Sequence, residues 1–137
     1  MNFDVKVSRI KLALTPDKKI RKALSRAGAK AVEIIRERTN QGKFLGGVWK
    51  DKPYSETYFK SKNTQDKTVN LQRTNHMMSS MQSRAIVSKR RMLAEVYFSG
   101  VNANKKAFWN NQTRRFFDLT DKELDQVQRV FKANINA

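Results

Sequence analysis

The stretch TPDKKIRKALSRAGAKAVEIIRER, residues 15–38, decides the architecture. Thr15, Pro16 and Asp17 form a helix start, because Thr caps, Pro suits the first helical position and Asp favours the positive end of the helix dipole. Ile20, Leu24, Ala27, Ala31 and Ile34 then recur at spacings of 4, 3, 4 and 3. That is one apolar stripe of an α-helix, and it predicts a helix from Pro16 to about Arg38. Lys18, Lys22, Arg26 and Lys30 form a second stripe at a constant spacing of 4, followed by Glu33 and Glu37 on nearby turns.

Upstream, Phe3, Val5 and Val7 alternate with polar residues, the period of a half-buried strand. The phase shifts at Ser8–Arg9, since Ile10, Leu12 and Leu14 are even-numbered, as at a β-bulge or between two short strands; plain coil is the alternative. Downstream, Gly42, Gly46 and Gly47 mark residues 40–52 as a loop carrying Phe44 and Trp49. Ser55-Glu56-Thr57 fits a short helix start before Tyr58 and Phe59, and Ser61–Val69 reads as a polar loop. Leu71, Thr74, Met78 and Met81 fit one helix face. Ala85–Ser88 and Ala94–Ser99 read as strands joined by the basic turn Lys89-Arg90-Arg91, with Ala94, Val96 and Phe98 on one face. Gly100–Thr113 reads as irregular. Thr120 with Glu123 is a capping box, and Leu124, Val127, Phe131 and Ile135 give a last amphipathic helix.

The resulting order is strand, long helix, loop, helix, hairpin, loop, helix. The expected fold class is α+β, a small antiparallel sheet packed against a long N-terminal helix, a middle helix and a C-terminal helix. At 137 residues the chain fits a single domain, with strand and long helix in 1–39, a loop region in 40–70, and helix, hairpin and C-terminal helix in 71–137.

Composition excludes several function classes. The formal net charge is +17, from 29 Lys and Arg against 12 Asp and Glu, and the excess is spread over both halves rather than gathered in a tail. No run approaches the roughly 20 apolar residues of a membrane span, so no membrane partner is expected. MNFDVKVSRI carries no apolar core of a secretory leader. With no cysteine, disulfides, thiol catalysis and Cys-type metal sites are excluded. A chain this basic seeks something negative: nucleic acid, an anionic surface or an acidic protein.

Candidate chemistry is sparse. His76 is the only histidine and has no acidic neighbour in sequence, so a general acid–base or metal role lacks its second group. Asp118, Asp121, Glu123 and Asp125 cluster at a helix start, where opposing the dipole is the simpler account, and they lack the spacing of a calcium loop. No phosphate-cradling loop or hydrolase motif occurs. We expect no enzyme activity, no cofactor and no metal. The basic stripe Lys18, Lys22, Arg26 and Lys30 reads either as phosphate or acidic-partner contacts or as a solvated face, with Lys89, Arg90 and Arg91 as a second candidate. No helix-turn-helix, zinc-finger or RNA-recognition pattern is present, so sequence-specific reading of DNA is not expected.

Gly47-Val48-Trp49, Ser55-Glu56-Thr57 and Leu71-Gln72-Arg73-Thr74 followed by Met78 and Ser80-Met81 occur in an order that resembles the phage virion morphogenesis family. That family comprises tail-completion and head–tail joining proteins of Mu-like and related tailed phages. Trp109-Asn110-Asn111, then Arg114-Arg115-Phe116-Phe117-Asp118-Leu119-Thr120 and the helix from Asp121, look like the family's ending. The resemblance spans about residues 34–135. Asn75 stands where the family often has Gly, a position Asn tolerates in a left-handed turn, and Asp118 replaces another frequent Gly.

The resemblance implies a bacteriophage structural protein of the neck or tail end, made in the host cytoplasm and carried in the virion. Its subunits would close into a cyclic homo-oligomer against neighbouring neck, connector or tail proteins, with nonspecific contact to packaged DNA. Phe44, Trp49, Phe108, Trp109, Phe116 and Phe117, with Arg114 and Arg115, are then candidate interface residues. The alternative for the aromatics is burial in the core. The alternative function is a free-standing basic nucleic-acid-binding protein.

Overall fold

The sheet begins with β1 (Asn2–Asp4) and is completed by β4 (Met81–Val87) and β5 (Met92–Phe98) in the order β1-β5-β4. The computed structural model describes residues 2–4, 15–45, 47–48, 76–88 and 91–136. Between β1 and β4 lie α1 (Asp17–Asn40), the short strands β2 (Lys43–Phe44) and β3 (Gly47–Val48), and the one-turn helix α2 (His76–Ser79). After β5 come α3 (Val101–Thr113) and α4 (Asp121–Asn136). The fold is α+β. β1 runs antiparallel to β5, with Phe3 opposite Ala94, and β4 and β5 are neighbours across a connection too short for anything but an antiparallel hairpin.

The packing divides into two units. The first comprises Met1–Ile34, Gln82–Tyr97 and Leu119–Ala137. In it Ile20, Leu24, Ala27, Ala31 and Ile34 are all buried, as their spacing predicts. Helix α1 lies on the hairpin: Arg21 Nη2 donates to the Val87 carbonyl at 3.1 Å. Gly28 lets it approach, since a Cβ there would meet Ser83 Cβ at 2.8 Å. Helix α4 buries Val127, Phe131 and Ile135. Its capping box forms as expected, Glu123 N donating to Thr120 Oγ1 at 3.1 Å and Thr120 N to Glu123 Oε1 at 2.9 Å. On the hairpin's exposed side Arg84 pairs with Glu95 at 2.9 Å and covers the Tyr97 ring at 4.8 Å. The Glu95 hydrogen bond, and then its charge, raise the Arg84 guanidinium above its ordinary pKa.

The close approach at Gly28 yields a test. Alanine gains about 1 kcal/mol over glycine in a helix interior, whereas overpacking a filled contact costs about 1–3 kcal/mol. Ser83 Cβ is tied to its strand and gives way less easily than a flexible side-chain end. Gly28→Ala is therefore expected to lower the urea midpoint, and Ser83→Gly in that background to recover part of the loss. A raised midpoint for Gly28→Ala alone would refute the close contact.

The second unit comprises Ile35–Met81 and Phe98–Asp118. Here the end of α1 buries Ile35 and Thr39 and stops beyond Asn40, with Gly42 at φ 72°. Arg36 donates to the Met78 carbonyl through Nε at 3.2 Å and to that of Met81 through Nη2 at 2.8 Å. Arg38 Nη2 reaches the carbonyls of Phe116 at 2.6 Å and Asp118 at 2.7 Å. Both cations thus tie the end of α1 to backbone carbonyls of the same unit. Phe98, Phe116 and Phe117 pack together, with ring centroids 4.8 Å apart for Phe98–Phe117 and 6.1 Å for Phe98–Phe116.

Several sequence expectations are corrected. Residues 101–113 form helix α3, not irregular chain. Its four asparagines are poor helix formers, and its buried stripe is only Ala103 and Ala107, so neither propensity nor periodicity announces it. Two of those asparagines instead bond back one turn, Asn104 Nδ2 to the Gly100 carbonyl at 3.0 Å and Asn110 Nδ2 to that of Lys106 at 2.8 Å. Gly100, at φ 93°, supplies a backbone bend before the helix that other residues rarely adopt. The 40–52 loop contains the β2–β3 ladder, Lys43 opposite Val48. Met81 opens β4 rather than lying on a helix face with Met78, and β4 begins four residues earlier than Ala85. The expected strand or coil of residues 5–14, the short helix at 55–59, the loop at 61–69, and Leu71 and Thr74 lie outside the described residues.

Candidate functional site

Helix α3 carries the most unusual surface among the described residues. Val101, Phe108 and Trp109 are 69%, 61% and 67% exposed. Val101 and Lys105 are four apart, Lys105 and Phe108 three, and Lys105 and Trp109 four, so all four side chains occupy one face. The opposite face, through Ala103 and Ala107, is buried. The Phe108 and Trp109 rings meet edge to face, 5.7 Å between centroids at 75°. Large apolar side chains clustered in solvent mark an interaction surface rather than a folding requirement.

Beside this face lies an open groove of about 310 Å³, between Asn104, Ala107, Phe108 and Asn111 of α3 and the Phe98–Phe117 pair. Its far wall is fixed by a turn that α3 itself organises. Asn111 Oδ1 accepts hydrogen bonds from Phe116 N and Phe117 N, both at 3.0 Å. Lys105 and Lys106 are exposed and pair with no carboxylate among the described residues. Arg115 is exposed but bound to Asp118 at 2.6 Å.

The candidate interface residues separate clearly. Phe108 and Trp109 are exposed. Phe116 is fully buried, as the core alternative for the aromatics has it, and Phe117 is half-buried against Phe98. Phe44 is half-buried in β2, and Arg114 is the half-buried C-cap of α3, its backbone N donating to the Asn110 carbonyl at 2.8 Å. Trp49 lies outside the described residues. Sequence reading missed Val101 and Lys105; once 101–113 is drawn as a helix, their spacing from Phe108 and Trp109 finds them.

The basic stripe of α1 divides too. Arg26 donates to Asn134 Oδ1 at 2.6 Å, and half-buried Lys30 pairs with Glu33 at 3.5 Å. Lys18 and Lys22 are exposed, without such a partner among the described residues. Arg91 is exposed, and its backbone N donates to Ser88 Oγ at 3.1 Å; Lys89 and Arg90 lie outside the described residues. Asp118 and Glu123 are engaged by Arg115 and the Thr120 cap, and among the described residues no three His, Asp or Glu converge as a metal site. No described helix is long and apolar enough to cross a membrane. No family model, curated protein or solved structure matches the chain.

Proposed function

We propose that this protein is a structural subunit of the neck or tail end of a tailed-phage virion. Its subunits close into a ring that joins or completes the head–tail connection, and it acts by assembly rather than catalysis. The observation that carries the reading is the exposed Phe108–Trp109 pair on a helix whose other face is buried, a surface built to be covered by another molecule. The ordered motifs from Gly47 to Thr120 support the setting. In that setting Lys18 and Lys22 face acidic neighbours or passing DNA.

Antibody raised against the purified chain tests this on particles recovered from cells carrying its gene. Gold label at the head–tail junction or the tail end is expected. Unlabelled particles, or no particles at all, overturn the reading. The same exposed lysines favour a second reading, a free-standing nucleic-acid-binding protein. It requires the isolated chain to bind duplex DNA with a log–log salt slope near one unit per phosphate contacted, and to be absent from particles.

A further inference from the structure

The α3 face combines three features that together specify a partner. The first is the apolar groove against Phe98 and Phe117. At about 310 Å³ it is at the small end of ligand pockets, which run from roughly 300 to 1,000 Å³, and its open form suits inserted side chains better than an enclosed cofactor. The second is the exposed stripe of Val101, Phe108 and Trp109 that continues from its rim. The third is charge: Lys105 sits within that stripe by helical spacing, Lys106 is next to it, and the nearby Asp118 is already neutralised by Arg115.

Charge complementarity decides among the occupants. A second copy set symmetrically on this face would bring Lys105 and Lys106 against themselves, and like charges juxtaposed across an interface are costly, whereas the head-to-tail contacts of a ring pair two different faces and do not need this one. A nucleic-acid strand would satisfy the lysines, but consecutive stacked bases need parallel aromatic platforms, and the Phe108 and Trp109 rings stand at 75° to each other. We infer that the α3 groove receives an acidic segment of a different protein, which inserts an apolar side chain against Phe98 and Phe117 while its carboxylates meet Lys105 and Lys106. This deepens the assembly reading and rests on it for where the partner resides.

The test uses the full chain and a fluorescein-labelled peptide with Leu at i, i+4 and i+7 and Glu elsewhere, followed by anisotropy. The peptide should bind, and Phe108→Ala and Lys105→Glu should each weaken it about tenfold, as interface anchors do. Lys18→Glu, on the α1 stripe and not among the residues that line the groove, should leave affinity within about twofold, as an exposed surface charge would. Both altered α3 positions are exposed, so the variants should keep the parent circular dichroism. Equal affinity for a peptide with Ser in place of Leu would overturn the proposal, since charge alone would then suffice. So would displacement of the peptide by a dT oligonucleotide whose own binding falls with Phe108→Ala. Self-association of the chain abolished by Phe108→Ala would overturn it in favour of a second copy. Peptide failure alongside labelled virions removes the groove assignment and leaves the ring; peptide binding with unlabelled virions does the reverse.

Discussion

Phe116→Ala is expected to destabilise the protein by about 3–5 kcal/mol, the usual cost of emptying a buried phenylalanine site. The ring is fully buried and meets Phe98 edge to face, so truncation removes apolar contact and leaves a cavity. Its backbone is held at both ends, Phe116 N by Asn111 and its carbonyl by Arg38, so the turn has little freedom to collapse into the space. Against a typical total stability of about 5–15 kcal/mol, that is a large fraction. Urea unfolding followed by circular dichroism should show a strongly lowered midpoint. Phe108→Ala is the matched control: its ring is in solvent, and the change should stay within about 0.5 kcal/mol. Equal losses for the two variants would mean that the division into core and surface is wrong.

Asn111→Ala should cost about 2–3 kcal/mol, because one oxygen satisfies two amides and an unsatisfied buried donor costs about 1–3 kcal/mol. The half-buried Phe116 and Phe117 amides would regain only part of that from water. Asn111→Asp keeps an acceptor at the same reach and should restore most of the stability. Hydrogen exchange gives the specific signature: the Phe116 and Phe117 amides should lose protection in Asn111→Ala and keep it in Asn111→Asp. Unchanged protection in the alanine variant would show that these amides have another partner. The same substitution should loosen the far wall of the α3 groove, which ties the local hydrogen bonding to the proposed docking surface.

Parts of this architecture were legible because several local signals agreed. Helix α1 has a start signal, a stripe of five apolar residues and a stop near Gly42, and all five stripe residues are buried. Helix α4 has a capping box whose two hydrogen bonds form, and a stripe that buries Val127, Phe131 and Ile135. On β5 the alternation of Ala94, Val96 and Phe98 places all three inside. Helix α3 was not legible. Its asparagines lower helix propensity, and its narrow Ala103–Ala107 stripe is too weak a pattern to outweigh them. The candidate site depends on that helix, so missing it hid the relation of Val101 and Lys105 to the aromatic pair.

Local sequence determined the α+β class, the long helix α1, the hairpin and the cap of α4, because periodicity and capping are set by residues within a few turns of one another. It also determined the large positive charge. It did not separate Phe108-Trp109 from Phe116-Phe117, two aromatic pairs eight residues apart, the first one residue beyond Lys105-Lys106 and the second directly after Arg114-Arg115. Aromatic identity states how much apolar area a side chain has, not which side of the chain will be covered. Only the tertiary structure decided that: Phe98, the Asn111 bonds and Arg38 fold the second pair inward, while burial of Ala103 and Ala107 turns the first pair out to solvent.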